Sequence, residues 1–344
     1  MCIRDRLEIV GEKTILATPA LGMTAAWTYL SLSDSGAVLR YVDAAVRRMP
    51  PDWQQDLSAS DIAPHLAVLL ATTAPGANGQ QEATDLARAA LARIPDEDPI
   101  RALSTLVAGL NMALLGDPAA ITVVARAAAL AKTTGIPSTE VEARVILGLL
   151  HMVAGDDTAG CEQVEAADSI YAFHDLRAMM STTGILVLGR VGLLAFRGRH
   201  EDSRVAMAEL DRFTARLTPT FPWFRSLAGG VLAFSCARHG DLEDFSRYLS
   251  WCDETEVVGG GLCQRWAARA RQEYAVSSPL RHLSPAELRV WELLKGRMTL
   301  SEIAGVLFLS RETVKTHTVS IYRKLGVSSR RDAQDLAEAW GRAG

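Results

Sequence analysis

Residues 299–325 read TLSEIAGVLFLSRETVKTHTVSIYRKL and contain two short amphipathic helical patterns separated by a tight turn. Apolar residues at helical spacing are expected where one face of a helix is buried. Two such helices joined by a short turn form a helix-turn-helix, a structure that places its second helix in the major groove of DNA. The stretch therefore predicts a helical, DNA-contacting region near the carboxyl end.

Helix start patterns surround this stretch. Residues 284–287 (SPAE) and 299–302 (TLSE) each match a capping box, in which a hydroxyl and a glutamate satisfy each other's backbone N–H groups. Ser310 is expected to cap a third helix, and residues 329–332 to open a fourth. Four successive start patterns in so short a span fix the spacing of four helices.

These four helices predict a small helix-turn-helix domain over residues 284–344, after a linker over residues 276–283. Ala304 lies where two helices must cross, and a bulky side chain there would overpack the contact. The apolar side chains expected to face the core of this domain are Val290, Trp291, Leu294, Ile303, Leu307, Leu309, Val314, Ile321 and Leu325.

The recognition helix is expected to span residues 310–325 and to turn a polar face outward. Lys315, Thr316 and Val319 are the predicted base-reading side chains, since Lys donates to guanine and methyl groups contact thymine. Ser320 is expected on the same outward face. The side chains predicted to hold phosphates are Ser310, Arg311, Thr313, Arg323, Lys324 and Arg330.

Charge is divided unevenly along the chain. Residues 280–344 hold 11 Lys and Arg against 7 Asp and Glu, a net of +4, although the whole chain carries −4. The rest of the chain therefore carries −8. A positive tail on an acidic body suits local DNA binding without general affinity for polyanions.

Upstream of the tail, composition and glycine spacing favour helical repeats. Hydrophobic residues make up 49% of the chain and aromatic residues 6%, and runs of alternating Val, Ile and Thr are scarce, so the chain is expected to be all-α. A helical pattern precedes and follows each of six glycines at spacings near 40 residues, so each is expected to end one helix and introduce the next: Gly36, Gly76, Gly116, Gly155, Gly198 and Gly240. Such helix pairs bury their apolar faces by stacking, which predicts a solenoid similar to tetratricopeptide repeats; an irregular helical bundle is the alternative.

Other classes of protein find little support in the sequence. No nucleophile elbow, dinucleotide-binding or phosphate-loop motif occurs, and the histidines lack metal-ligand spacing, so we expect neither an enzyme nor a metal or cofactor site in this chain. The five cysteines form no CxxC pair. The longest apolar stretch, residues 184–196, is interrupted by Arg190 and is too short for a membrane span. A cytoplasmic protein is expected.

The tail closely resembles the LuxR-type helix-turn-helix of bacterial transcription regulators. The resemblance implies a fourth helix that forms a dimer through Ala333, Leu336, Ala337 and Trp340, although packing within the domain is a competing use of that stripe. The matching residues are Leu283-Ser284-Pro285, Glu287, Leu294, Glu302-Ile303-Ala304, Leu307, Leu309-Ser310, Thr313-Val314-Lys315, His317, Lys324-Leu325-Gly326-Val327 and Arg330.

A LuxR-type tail behind helical repeats is similar to the large ATP-binding LuxR-like regulators, whose amino-terminal part is an ATPase. The first six residues, MCIRDR, resemble a translated sequencing adaptor, so residues 1–14 are expected to be an artefact or a remnant of an upstream domain. Residues 15–275 are then the repeat domain. The resemblance implies that a longer parent protein would use ATP, and a naturally short regulator with only repeats is the alternative.

The sequence thus predicts a regulator that binds promoter DNA as a homodimer, acts on RNA polymerase and receives an effector or a protein partner on its repeats. Two alternatives remain open at this stage. A sigma-factor-like subunit would also carry a promoter-reading helix-turn-helix, and a repeat scaffold would use its tail for dimerisation only.

Overall fold

Helices follow one another through the described part of the chain. The computed structural model describes residues 3–58, 60–73, 76–239, 241–253, 261–277, 283–294, 296 and 298–341. Within these ranges the regular elements are α-helices and one short 3₁₀ helix, with no strand, which confirms the expected all-α class.

Fifteen of these helices form the body that precedes the tail. A 3₁₀ helix, Leu176–Ala178, lies between the tenth and the eleventh. In chain order they are α1 (Ile3–Val10), α2 (Glu12–Ala17), α3 (Pro19–Ser31), α4 (Ser35–Val46), α5 (Ala63–Thr72), α6 (Gly76–Arg93), α7 (Arg101–Leu115), α8 (Ala120–Thr134), α9 (Pro137–Val153), α10 (Asp157–Phe173), α11 (Met180–Phe196), α12 (His200–Leu217), α13 (Pro222–His239), α14 (Leu242–Asp253) and α15 (Leu262–Ser277).

Three of the six repeat glycines lie where the spacing predicts, at the ends of helices α7, α9 and α11. Gly116, Gly155 and Gly198 have φ angles of 82°, 91° and 67°, a left-handed conformation that glycine adopts without a Cβ clash. The prediction is wrong for Gly36, which lies inside α4 while Ser33 takes the left-handed position, and for Gly76, which begins α6. Gly240 lies outside the described residues.

The body is built as two layers. Helices α3, α5, α7, α9, α11 and α13 lie side by side, and each packs against the helix that follows it in sequence. The second helix of each pair thereby forms the outer layer. This arrangement confirms a helical-repeat body, in which each pair buries its apolar face against its neighbours.

Small residues allow the helices of the body to approach closely. A Cβ added to Gly229 of α13 would lie 2.6 Å from the Tyr248 carbonyl oxygen of α14. A Cβ on the neighbouring Gly230 would lie 2.7 Å from the Trp266 Cβ of α15. One pair of glycines thus lets α13 touch α14 on one side and α15 on the other.

The repeats curl back on themselves. Helix α3 contacts α11 although three helix pairs separate them in the chain, and α15 contacts both α7 and α9. The inner layer therefore closes around a concave face instead of running straight. Among the described residues, no helix is sufficiently long and apolar to cross a lipid bilayer.

The tail has a hydrophobic core of its own. It contains α16 (Pro285–Leu294), α17 (Leu300–Leu307), α18 (Arg311–Leu325) and α19 (Arg330–Gly341). Their buried side chains form a cluster distinct from that of the body. The two parts touch where α19 lies against α14 and where Tyr274 of α15 packs against both clusters.

Candidate nucleic-acid interface

Polar caps set where the first two tail helices begin. The Ser284 N–H donates to Glu287 Oε2 at 2.6 Å, and the Glu287 N–H donates back to Ser284 Oγ at 3.3 Å. The Thr299 N–H and Glu302 Oε2 are 2.7 Å apart, and the Glu302 N–H and Thr299 Oγ1 are 3.3 Å apart. Both capping boxes are therefore confirmed, and they satisfy backbone donors that each helix leaves unpaired.

The turn between α17 and α18 is three residues long. Phe308 has a left-handed φ of 54°, and the Leu309 N–H donates to the Ala304 carbonyl at 2.9 Å, which closes the end of α17. Ser310 then caps α18 by accepting from the Thr313 N–H at 3.0 Å. The cap at Ser310 is confirmed, whereas the expected burial of Leu309 is wrong, because the turn leaves this side chain 38% exposed.

The buried face of the two helices holds the recognition helix in place. Ala304 is 6% exposed at the crossing of α17 and α18, in agreement with its expected steric role. Leu307 is only partly buried against the cluster. The remaining side chains predicted for the core are buried: Val290, Trp291, Leu294, Ile303, Val314, Ile321 and Leu325.

The opposite face of α18 is open to solvent. Lys315, Thr316 and Val319 are all exposed, with Val319 at 62%, whereas Val314 and Ile321 of the same helix are completely buried. The Lys315 ammonium lies 4.0 Å from the Glu312 carboxylate, and both side chains are largely solvated. An exposed ion pair of this kind is weak, so the ammonium is available to another acceptor.

Glu287 joins α16 to the recognition helix. It accepts from Ser320 Oγ and from Lys324 Nζ, each at 2.6 Å, as well as from the Ser284 N–H. These donors, first the Lys324 ammonium and then the Ser320 hydroxyl, lower the pKa of the Glu287 carboxyl to about 2. The expectation that Ser320 faces outward is wrong, because this carboxylate draws its hydroxyl inward.

Two of the predicted phosphate ligands have partners inside the domain. Lys324 forms the ion pair with Glu287, and the Arg330 guanidinium donates to the carbonyls of Leu294, Gly296 and Met298, at 3.3 Å and 2.9 Å for the first two. Arg330 thereby ties the start of α19 to the loop between α16 and α17. Charge alone predicts a surface role for both residues, and only the tertiary structure reveals these contacts.

The other predicted phosphate ligands lie along α18. Arg311 and Arg323 are exposed near its two ends, and the hydroxyls of Ser310 and Thr313 lie 2.8 Å apart at its start. The first turn of a helix also presents unpaired backbone N–H groups, which favour an anion. Hydrogen-bond donors that suit an anion therefore flank the exposed face that carries Lys315.

The fourth helix packs inside the chain over part of the predicted dimer stripe. Ala333 is completely buried in the tail core, and Leu336 is partly buried against the same cluster. The side chains of Ala337 and Trp340 lie outside the described residues. In this structure the described half of the stripe thus serves the domain core, the competing use that the sequence left open.

Comparison with known proteins places this geometry in a family. The model of the bacterial regulatory proteins of the luxR family matches residues 281–337, which include all four tail helices except the end of the last. The spore germination protein GerE of Bacillus subtilis is 44% identical over 57 residues, which are 17% of this chain and 74% of GerE. The chain belongs to the LuxR family of bacterial regulatory proteins.

Other LuxR-family relatives match a longer stretch. The probable transcriptional regulatory protein NarL of two Mycobacterium tuberculosis strains is 31% identical over 116 residues, which are 34% of this chain. The chain spans 52% of the length of these relatives. No solved structure matches it. Family membership supports a DNA-binding regulator.

The described residues of this LuxR-family chain provide no site for a metal ion. No group of three or more His, Cys, Asp or Glu side chains among the described residues could hold a metal ion. The four described cysteines, Cys161, Cys236, Cys252 and Cys263, are buried thiols that form no disulfide with one another. Burial raises the pKa of the Cys263 thiol to about 12, which keeps it protonated and poorly nucleophilic.

Proposed function

We propose that this chain is a sequence-specific transcription regulator that inserts residues 310–325 into the major groove of promoter DNA. The observation that carries the proposal is the division of α18 into two faces. Val314 and Ile321 fix the helix in the core, while Lys315, Thr316 and Val319 stand exposed on the other side. A helix held in this way presents side chains to base edges at fixed positions.

The chemistry of the exposed face suits direct readout. The Lys315 ammonium would donate to O6 and N7 of guanine, and the methyl groups of Thr316 and Val319 would contact the methyl group of thymine. Val319 is an apolar side chain that is 62% exposed in the middle of a helix, where a polar residue would be the ordinary choice. Contact between the Val319 methyl groups and the methyl group of thymine would explain why this apolar side chain is exposed.

Backbone contacts would position the helix. Arg311 and Arg323, together with the Ser310 and Thr313 hydroxyls, would bind phosphates, and their accessibility supports this role. Lys324 and Arg330 remain candidate phosphate ligands. However, Lys324 already donates to Glu287 and Arg330 already donates to the loop carbonyls. We therefore infer that the main role of these two residues is to orient α18 and α19.

The proposal also assigns a role to each part of the chain. Residues 15–275 would bind an effector or a protein partner, and residues 284–344 would bind DNA. Residues 276–283 would connect these two domains. Two copies would bind half-sites about one helical turn apart, or a multiple of it, and act on RNA polymerase. Because Ala333 is buried, a dimer through α19 would use the residues that follow it.

Selection of bound duplexes from a random pool, followed by fluorescence anisotropy with the full chain, tests base reading. Lys315→Ala should weaken binding to the selected duplex by roughly 1–3 kcal/mol, since a specific base contact is lost. Lys132→Ala is the matched control, because it removes the same charge from an exposed position on α8 of the body. An unchanged affinity for Lys315→Ala, or no duplex bound at low salt, would refute the assignment.

A further inference from the structure

The concave face of the repeat body contains a cavity of about 500 Å³. The described lining residues belong to the inner helices α3, α5, α7, α9, α11 and α13 and to the segments that lead into them. Pockets for small organic ligands have volumes of roughly 300–1,000 Å³. The curl of the repeats thus creates a space of the size that a small molecule fills.

The wall of this cavity is mainly apolar. Leu103, Leu110 and Ile146 line it from α7 and α9, and the aromatic side chains of Trp27 and Trp223 line it from the two ends of the repeat array. Such a surface favours a ligand with a hydrocarbon or aromatic body, because burial removes apolar area from water. A ligand in contact with both tryptophans would also bridge α3 and α13.

Among the described residues that line this cavity, Glu142 is the one ionisable side chain. It lies deep in the body on α9 and keeps part of its surface accessible, in contact with the cavity. Its Oε1 accepts from Thr182 Oγ1 at 2.7 Å and from Ser181 Oγ at 3.5 Å, and both hydroxyls belong to α11. Both contacts use the same oxygen, so Oε2 is the oxygen left for a ligand.

No cation of the described residues forms an ion pair with this carboxyl. Two residues earlier on the same helix, Glu140 pairs with Arg144 at 2.8 Å, and Arg144 also donates to Gln163. Burial raises the pKa of Glu142 to about 7, against the smaller opposing effect of the two hydroxyls. A buried carboxyl without a counter-ion is costly to ionise, and a cation delivered to it would remove that cost.

We propose that this cavity binds a small molecule with an apolar body and one cationic amine, and that the amine pairs with Glu142. The inference rests on the proposed role of the repeats as receiver of an effector, and it gives that effector a chemical class. The shape and hydrophobicity of the cavity wall supply affinity for the apolar part of the ligand. The carboxylate of Glu142 selects a ligand with a positive charge.

Isothermal titration of the full chain with three matched probes tests this pairing. The probes are 4-phenylbutylamine, 4-phenylbutanol and 4-phenylbutanoic acid, which share an apolar body and differ in the head group. The amine should bind at least about tenfold more tightly than the alcohol, since a buried ion pair forms only with the amine. The acid should bind most weakly, because it brings a like charge to Glu142.

Two variants locate the effect in the cavity. Glu142→Gln should reduce amine binding to the level of the alcohol and leave alcohol binding within about twofold. Glu140→Gln removes the same charge from the same helix at a position paired with Arg144, and it should preserve the preference for the amine. Circular dichroism melting checks that both variants fold, and removal of the buried carboxyl from position 142 should not lower the melting temperature.

Leu110→Trp provides a second line of evidence by filling the cavity, and it should abolish binding of all three probes. The proposal is overturned if the acid binds as tightly as the amine, if Glu142→Gln leaves amine affinity unchanged, or if no probe binds at millimolar concentration. The titration contains no DNA, so a failure of base reading by α18 would leave its result untouched. The two failures are therefore distinguishable.

Discussion

The tail and the repeat body specify their folds by different means. In the tail, hydroxyl and carboxylate caps begin each helix, and one buried carboxylate, Glu287, fixes the recognition helix against α16. In the body, several caps carry no side-chain hydrogen bond, and glycines at helix contacts set how closely the layers approach. Polar local contacts thus determine the tail, and close packing between distant segments determines the body.

Glycine-to-alanine substitution should change the free energy of unfolding in opposite directions in the two regions. The larger change is expected in the body. Gly229→Ala places a methyl group 2.6 Å from the Tyr248 carbonyl oxygen, so helices α13 and α14 must separate. We expect a loss of about 3 kcal/mol in the free energy of unfolding, the upper part of the range for overpacking. Urea unfolding of the full chain followed by circular dichroism measures it.

Gly305→Ala in α17 is the matched control from the tail. A Cβ at Gly305 meets no atom within 4 Å, and the residue is exposed near the end of a helix. Alanine should therefore stabilise α17 by about 0.5–1 kcal/mol through its higher helix propensity. If both substitutions shift stability in the same direction, close approach is not what distinguishes the body from the tail.

Loss of the Glu287 carboxylate should have the next largest effect, confined to the tail. Glu287→Gln removes the ion pair with Lys324 and weakens the acceptor for Ser320, which should cost about 2 kcal/mol. Native-state hydrogen exchange of the α18 amides at neutral pH reports this local free energy. Glu312→Gln on the exposed face should change protection by less than about 0.5 kcal/mol.

The same variant predicts a pH dependence with a definite sign. The pKa of Glu287 is lowered to about 2 in the folded chain, so its stabilising effect is complete above its ordinary pKa of 4.5 and is lost as the pH falls toward 2. The difference between the native chain and Glu287→Gln should therefore shrink over that interval. A constant difference would mean that the carboxylate does not hold α18.

The two regions also differ in how far the sequence alone predicts them. Caps and apolar spacing are local, so the tail helices and the burial of Trp291 and Ile303 were predictable. Ser320 was not, because its partner lies 33 residues away in sequence, on α16. The apolar character of Leu309 predicts burial in the core, but the three-residue turn leaves this side chain exposed.

In the body, glycine spacing predicted the repeat but not its interior. The prediction is wrong at Gly36 and Gly76, because other residues end the preceding helices there. Gly116, Gly155 and Gly198 each end the preceding helix as predicted. The cavity depends on the curl that brings α3 to α11, a contact between segments more than 140 residues apart. Glu142 becomes notable only when that curl buries it.

Salt dependence provides a smaller test of the tail as a DNA-binding surface. Arg323→Ala should weaken binding uniformly across duplex sequences and reduce the slope of log affinity against log salt by about 1, because one phosphate contact is lost. Anisotropy titrations at several salt concentrations measure the slope. Arg238→Ala, on α13 of the body, should leave the slope unchanged, and a change there would indicate that the body also contacts DNA.

The smallest expected effect concerns the turn that precedes the recognition helix. Phe308 combines a left-handed φ of 54° with a side chain that is 95% exposed, so it has neither a relaxed backbone nor a buried ring. Phe308→Gly should raise the free energy of unfolding of the tail by roughly 0.5 kcal/mol, since relief of the Cβ clash exceeds the added chain entropy. Val306→Gly, an exposed position inside α17, should instead lower it by about 1 kcal/mol. Hydrogen exchange of the α17 amides resolves the two signs, and destabilisation by both substitutions would show that the Phe308 ring contributes to the fold of the turn.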